Sequence, residues 1–148
     1  MTDTPEVDPG LINTFGRLVE AYHALERRAD RSLVQALGLP LTWLEVLLRV
    51  SRAEDGLVSM SALAGQLALT TSGVTRLLDR MTEAGYVRRV PCPTDRRVSY
   101  ADLTPAGTAK LGEAMIVHAA NLQEAFASFT DTDLVQLDRL LDRLRAQN

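Results

Sequence analysis

The sequence predicts a predominantly α-helical domain that is interrupted once, near its middle, by a small β-hairpin. Apolar residues recur at spacings of three and four along most of the chain, which is typical of amphipathic helices. Between residues 86 and 103, two short runs of alternating residues flank a proline-containing loop instead. The length of 148 residues, with 46% hydrophobic and 24% charged residues, favours a single globular domain that spans residues 1–148.

Composition argues against several classes of protein and site. No stretch approaches the roughly 18 continuous apolar residues of a membrane span, and the acidic start MTDTPEVDPG differs from a basic and then apolar signal peptide. We therefore expect a cytoplasmic protein with no membrane partner. Cys92 is the only cysteine, and His23 and His118 lie far apart in the sequence. These residues predict neither a disulfide nor a metal site, and we expect no cofactor.

The first predicted helix begins at Asp8, Pro9 and Gly10, where the aspartate caps the helix and the proline occupies its first turn. It ends near Gly38 and Pro40. A long helix with a narrow apolar stripe suits contact with another subunit. The stripe contains Leu11, Phe15, Leu18, Tyr22, Leu25 and Ala29.

A second helix follows, with the sequence WLEVLLRVSRA. Thr42 and Glu45 have the spacing of a capping box, and Leu41 and Val46 have that of a hydrophobic staple. The pattern therefore predicts that Thr42 caps this helix.

Residues 60 to 84 predict two short helices with a brief break between them. Ser59 is the expected cap of the first, and Thr70 or Thr71 is that of the second, which Gly85 ends. Two helices of this size and spacing form the helix-turn-helix pattern, whose second helix docks in the major groove of DNA.

The second of these helices has one apolar and one polar face at 100° per residue. The apolar face contains Val74, Leu77, Leu78 and Met81, and the polar face contains Ser72, Arg76, Asp79 and Glu83, flanked by Thr75 and Arg80. Small hydroxyl side chains and an arginine near a helix N-terminus can approach base edges and phosphates closely. The simpler alternative is a solvated face on which Arg76 pairs with Asp79, and Arg80 with Glu83.

The hairpin joins the strands YVRRV and RRVSYADL through the loop PCPTD. Pro91 and Pro93 cannot donate ladder hydrogen bonds, so the loop is expected to project. Four arginines and one acid lie between residues 86 and 97, whereas the whole chain has a net charge of −3. A small basic feature on an acidic body fits a localised contact with a polyanion, although a solvated hairpin would look the same. The helix-turn-helix and the projecting hairpin together predict a winged helix.

Two more helices follow the hairpin. Thr104 and Pro105 begin the first of them, and Thr130 caps the second. The first contains the apolar residues Leu111, Met115, Ile116 and Phe126, and the second contains Leu134, Leu137, Leu141 and Leu144. The leucines form a seam of the coiled-coil type. Together with the first helix, this seam supplies more apolar surface than the winged core can use.

The run LTTSGVTRLLDRMTEAGYVRRVPCPTDRRVSYADLTPAG closely resembles the MarR family of bacterial transcriptional regulators. The hydroxyl-rich recognition helix, the passage from Leu78 to Arg89, the Asp-Arg-Arg wing tip and the Leu-Thr-Pro-Ala-Gly helix start carry the resemblance. It implies a homodimer whose body is formed by residues 10–37 and 105–146, with a winged DNA-binding lobe at 42–103. It also implies a palindromic double-stranded DNA operator, a repressor role and a small aromatic or anionic effector.

The same resemblance assigns roles to individual residues. Contacts with the major groove would come from Thr70, Thr71, Ser72, Thr75 and Arg76. At the wing tip formed by Asp95, Arg96 and Arg97, the aspartate would orient Arg97, whose guanidinium suits the narrow minor groove. For Arg88 and Arg89, on the strand, phosphate contact and plain solvation both stay open. Dimer contacts would come from Leu11, Phe15, Leu18, Tyr22, Leu134, Leu137, Leu141 and Leu144.

His23 and Trp43 are candidates for the ligand crevice that the family places between the dimer body and the DNA-binding lobe. For Trp43 the alternative is a position in the core, which is the more usual place for a lone tryptophan near a helix start.

Other functions are weighed beside the regulator. A protein-interaction module would present an acidic or apolar recognition face and a blunt wing, unlike Arg76 and the arginines at the tip. A redox-responsive regulator would act through Cys92, with nearby arginines lowering the pKa of its thiol. Family members that sense oxidants resemble one another in placing a cysteine in the first helix, where this chain has none. No serine, histidine and acid arrangement or phosphate loop predicts an enzyme.

Overall fold

The computed structural model describes residues 8–147, which form six helices and a three-stranded antiparallel sheet. The helices are α1 (Pro9–Leu37), α2 (Leu41–Ser51), α3 (Met60–Gln66), α4 (Thr71–Glu83), α5 (Pro105–Ala125) and α6 (Asp131–Ala146). The strands are β1 (Val58–Ser59), β2 (Val87–Pro91) and β3 (Ser99–Leu103), in the order β1-β3-β2. The predicted class, mainly α with a hairpin wing, is confirmed. Strand β1 was not predicted, because two residues are too few to show alternation.

Most helix starts lie where capping residues predicted them. The Asp8 carboxylate accepts a hydrogen bond from the Gly10 amide at 2.7 Å, and α1 ends at Gly38, whose φ of 63° is left-handed. Thr70, rather than Thr71, caps α4 by accepting from the Gly73 amide at 3.1 Å. The Thr130 hydroxyl caps α6 in a reciprocal capping box.

The start of α2 corrects the sequence-based expectation. The helix begins at Leu41, so Thr42 is already inside its first turn and does not cap it. The amide of Leu41 donates instead to the Asp30 carboxylate of α1 at 2.9 Å. The capping box was wrong because a side chain eleven residues earlier supplies the cap, and a local pattern cannot show it.

The buried apolar residues form two adjoining clusters. The apolar face of α4 is buried in the winged lobe together with residues of α2, α3 and the sheet. A second cluster, with Leu33, Leu39, Leu44 and Ala114, joins α1, α2 and α5. Trp43 packs against both clusters, with its ring edge-on to Tyr86 at 6.1 Å between centroids. The lobe is therefore continuous with the helices that flank it.

The start of α5 is fixed to the start of strand β2. The amide of Thr104 donates to the Tyr86 carbonyl at 3.1 Å, and the Thr104 hydroxyl donates to the Gly85 carbonyl at 2.6 Å. The same hydroxyl accepts from the Gly107 amide at 3.0 Å. One threonine therefore caps α5 and ties it to the wing.

The outer helices leave their apolar stripes uncovered. Leu11, Phe15 and Tyr22 on α1 are 68%, 67% and 55% exposed. Helix α6 buries none of its residues, and of its four seam leucines only Leu137 is half-buried. Exposed apolar stripes of this length mark surfaces that another molecule covers.

Among the described residues, no single helix is both long and apolar enough to cross a membrane, although α1 and α2 together pass that test with a 90° bend between them.

Candidate nucleic-acid interface

The N-terminal turns of α4 present the predicted polar residues on one exposed side. The core holds the opposite face through Val74, Leu77, Leu78 and Met81, which fixes the helix rotation. Thr71, Ser72 and Arg76 are exposed, and Thr75 is half-buried. The side chain of Arg76 forms no hydrogen bond or ion pair with any residue in the described part of the chain. Its guanidinium is therefore available to an external acceptor.

Several of the hydroxyl groups also hold the helix together. The Thr70 hydroxyl accepts from the Gly73 amide and lies 3.2 Å from that of Ser72. The Thr75 hydroxyl donates to the Thr71 carbonyl at 3.0 Å. The hydroxyl oxygens of Thr70, Ser72 and Thr75 can each still accept a further hydrogen bond. The Thr71 hydroxyl makes no hydrogen bond to another described residue.

The wing tip contains a built arginine and aspartate pair. The Asp95 carboxylate accepts from the Arg97 amide at 3.0 Å, from Nε at 3.1 Å and from Nη2 at 3.2 Å. The side chain of Arg97 is nevertheless 90% exposed. Hydrogen bonds from the side chain and backbone of Arg97 lower the pKa of the Asp95 carboxyl. Asp95 therefore stays ionised and orients the guanidinium, while Arg96 points to solvent without a described partner.

Each strand arginine pairs with an aspartate, so plain solvation describes neither of them, and phosphate contact stays a prediction. Arg88 pairs across the hairpin with Asp102, with Nε and Nη2 at 2.7 and 2.5 Å from the same Oδ2. Arg89 Nη2 lies 2.5 Å from Asp79 Oδ1 on α4. Asp79 is therefore bonded to the wing, and the local pair with Arg76, which belonged to the simpler alternative, is not formed. The register of β2 and β3, which places Arg88 opposite Asp102, explains the first pair.

A cleft of about 310 Å³ lies between the start of α3, helix α4 and the wing. It is lined by Ser59, Met60, Ser61, Thr71, Thr75, Arg89, Arg97, Val98 and Ser99. Hydroxyl donors and guanidinium groups on the walls of one cleft suit a phosphate. Ser61 and Ser99 were not predicted as part of this interface, because the sequence does not show that three separate segments converge here.

A second cavity, of about 280 Å³, lies between α1, α2 and α5. Its walls are Tyr22, Leu25, Glu26, Ala29, Leu41, Leu44, Glu45, Leu48, Arg49, His118 and Leu122. The predicted pocket residues His23 and Trp43 do not line it: His23 is exposed and 3.2 Å from Glu26, and Trp43 packs in the core. Burial raises the pKa of the Tyr22 hydroxyl, and the negative charges of Glu26 and Glu45 raise it further.

Cys92 is half-buried in the wing loop, with its sulfur 3.4 Å from the Thr94 hydroxyl. That hydrogen bond, supported by backbone amides, lowers the pKa of the thiol. The redox alternative would have the arginines produce this effect, but the Arg97 guanidinium faces Asp95 and that of Arg89 faces Asp79. Among the described residues, no group of three or more potential metal ligands is present.

Comparison with known proteins bears on the whole chain. A model of the MarR family matches residues 37–98. The transcriptional regulator PecS of Dickeya dadantii is 31% identical to this chain, and the match covers 96% of this chain and 86% of PecS. The crystal structure of AbsC, a MarR family transcriptional regulator from Streptomyces coelicolor, has a TM-score of 0.81 and 26% identity, covering 97% of each chain.

A further solved structure contains DNA. A mutant MarR from Escherichia coli, complexed with operator DNA, has a TM-score of 0.78 and 26% identity, covering 93% of this chain and 99% of that one. Matches to the first curated relatives span from 63% to 90% of those relatives' length. These similar proteins are transcriptional regulators, and none of their names describes an enzyme.

Proposed function

The chain belongs to the MarR family of winged-helix transcriptional regulators, and from this premise we propose that it is a homodimeric, sequence-specific repressor that acts on DNA in the cytoplasm. One observation carries the proposal. The Asp95 carboxylate holds Arg97 at an exposed wing tip, on the same cleft that the N-terminal turns of α4 line. Apart from Asp95, the Arg97 guanidinium has no partner among the described residues, so it is available to an external acceptor.

The major groove would receive the first turns of α4. Thr70, Thr71, Ser72, Thr75 and Arg76 lie there, next to a helix N-terminus that favours phosphate. Further along the same face, Asp79 and Glu83 would repel DNA, so the helix would enter by its N-terminal end. The exposed guanidinium of Arg76 suits bidentate contact with guanine.

The wing would place Arg97 in the neighbouring minor groove. A guanidinium is weakly hydrated, and the negative potential of a narrow minor groove attracts it. Because Asp95 already restrains Arg97 in the free protein, Arg97 would lose less conformational entropy when it binds. Arg96 would contact the DNA backbone.

The dimer would form through α1, α5 and α6, within residues 10–37 and 105–146. Two copies would cover the exposed stripe of Leu11, Phe15, Leu18 and Tyr22 and the seam of Leu134, Leu137, Leu141 and Leu144. A two-fold dimer requires a roughly palindromic operator with half-sites about one helical turn apart.

The cavity between α1, α2 and α5 is the proposed effector site. Six of its wall residues are leucine or alanine, so an apolar body fits. Arg49 already donates to the carbonyls of Glu45 and Gln66, both at 3.2 Å. The Glu26 and Glu45 carboxylates therefore favour a cationic or hydrogen-bond-donating group over the anion that the resemblance suggested.

One titration tests the proposal as a whole. The protein is sized by light scattering and then bound to DNA from upstream of its own gene and to scrambled DNA of the same composition. We expect a dimer that prefers the upstream DNA, and a benzyltrimethylammonium ion that raises the melting temperature more than 3-phenylpropionate does. Equal affinity for the two DNAs would contradict a sequence-specific regulator and favour a protein-interaction module.

A further inference from the structure

Asp79 and Arg89 join the recognition helix to the wing. Arg89 extends from β2, yet its Nη2 lies 2.5 Å from Asp79 Oδ1 and 3.3 Å from the Thr75 carbonyl, both on α4. Its neighbour Arg88 pairs within the hairpin, with Asp102. The two adjacent arginines therefore differ: one stabilises the wing, and the other is held against the helix.

We propose that Asp79 is a positioning residue that fixes Arg89 in the cleft between α4 and the wing, where the remaining N–H groups of Arg89 bind one phosphate of the DNA backbone. This inference depends on the proposed function, because it concerns the DNA complex. Arginine has five N–H donors in a rigid planar fork. Asp79 and the Thr75 carbonyl engage Nη2 alone, so Nε and Nη1 keep their donors free of described protein partners.

The cleft provides the other groups that such a phosphate needs. Ser59, Ser61 and Thr71 line it from the start of α3 and from α4, beside the Arg89 guanidinium. These positions surround one anion with charged and neutral donors, which is typical of phosphate contacts that set the register of a protein on DNA. A phosphate fixed against α4 by Arg89 would set the distance between the backbone and the base edges that α4 reads.

The charge of Asp79 makes the inference testable, because it has two separable effects: it repels DNA of every sequence, and it restrains Arg89. A carboxylate near DNA weakens binding to every sequence. The same carboxylate restrains Arg89, and an unrestrained arginine can reach phosphates in many registers. Loss of Asp79 should therefore strengthen binding to random DNA more than binding to the operator.

Glu83 provides the matched control. It lies one turn further along α4, it is exposed, and its side chain makes no hydrogen bond or ion pair within the described chain. Glu83→Gln removes the same charge from the same face without releasing an arginine. Affinities for operator and scrambled DNA are measured in one salt concentration for wild type, Asp79→Asn and Glu83→Gln, with a melting temperature for each.

We expect Asp79→Asn to lower the ratio of operator to scrambled affinity by about three-fold or more, as the loss of a well-formed surface ion pair allows. Glu83→Gln should leave that ratio unchanged. Asp79→Glu, which keeps the carboxylate, should restore most of the ratio. In an Arg89→Ala background, Asp79→Asn should no longer change the ratio, because the residue it positions is gone.

Two outcomes overturn the inference. If Asp79→Asn behaves like Glu83→Gln, or lowers the ratio equally with and without Arg89, Asp79 does not act through Arg89. The wild-type titration separates this failure from that of the proposed function, because a wild-type protein without preference for the operator contradicts both. Melting temperatures within the wild-type range show that each variant is folded.

Discussion

Gly107 of α5 lies so close to Tyr86 that a β-carbon added to it would overlap the Tyr86 carbonyl oxygen. That oxygen also accepts the Thr104 amide, so it cannot move aside without losing a hydrogen bond. The contact joins the start of α5 to the start of the wing hairpin. Close approach, rather than backbone torsion, makes glycine necessary here.

Gly107→Ala should therefore destabilise the fold. The overlap forces α5 away from β2, and overpacking of this kind lowers the free energy of unfolding by about 2–3 kcal/mol. Urea denaturation measures it. Gly112→Ala is the matched control on the same helix, since a β-carbon there meets nothing within 4 Å. It should stabilise the protein by about 0.5–1 kcal/mol through helix propensity. Equal stabilities of the two variants would contradict the packing assigned to Gly107.

Arg97→Ala should weaken binding to all DNA sequences and reduce the slope of the logarithm of affinity against that of salt by about one unit. Asp95→Asn gives the sharper result. Simple electrostatics predicts tighter binding when a negative charge is removed, whereas release of Arg97 predicts weaker binding. Titrations at several salt concentrations show whether Asp95→Asn binds DNA more tightly or more weakly than wild type. An unchanged slope for Arg97→Ala would contradict a wing contact.

The Asp95 pair also has a pH dependence. Because its hydrogen bonds lower the pKa of Asp95, the carboxylate keeps Arg97 oriented below the usual titration range of an aspartate and loses it as the pH falls through the lowered value. We expect the wing signals in an NMR titration to change at a lower pH than those of an aspartate in an unstructured peptide, whose carboxyl has the ordinary pKa. Coincident transitions would contradict a persistent pair.

Arg76→Ala should change sequence preference rather than overall affinity. Loss of a bidentate base contact reduces discrimination by about 1–3 kcal/mol at one operator position. Competition with single-base operator variants locates that position. Arg80→Ala, one turn further along α4, should change discrimination less. Equal losses on operator and scrambled DNA would assign Arg76 to the backbone instead.

Phe15→Asp and Leu141→Asp should convert the proposed dimer to monomers, because each places a charge in a stripe that the second copy would cover. Sedimentation velocity measures the change. Leu69→Asp is the control, since Leu69 is similarly exposed but lies between α3 and α4, outside the proposed dimer body. If Phe15→Asp and Leu141→Asp remained dimeric, another surface would have to form the dimer.

Cys92→Ser should bind DNA as wild type does, with and without mild peroxide. The lowered thiol pKa allows alkylation below the usual range, and Thr94→Val should raise the pKa again by removing the hydroxyl that lowers it. Alkylation rates against pH, followed by mass spectrometry, measure both. Release of wild type, but not Cys92→Ser, by peroxide would instead establish a redox-responsive regulator.

The sequence predicted what depends on neighbouring residues. The inward face of α4 follows from its periodicity, and the resemblance to the family implied the pairing of Asp95 with Arg97, two positions apart. Contacts between distant segments were missed: Asp30 with the Leu41 amide, Arg89 with Asp79, and Asn121 with the Arg28 carbonyl and the Ser32 hydroxyl. A helical or strand pattern gives the direction of a side chain within its own element but not which element lies opposite.

The contact at Gly107 has a genetic consequence. Every single-base change that replaces a glycine codon by that of another amino acid introduces a β-carbon. Codon 107 therefore tolerates no single-base missense change, whereas codon 112 tolerates several. Under the proposed repressor function, a selection for cells that have lost repression should therefore recover codon 107 alongside the codons of the proposed DNA-contacting residues. Such alleles would be distinguished by low protein abundance, because quality-control proteases remove destabilised chains.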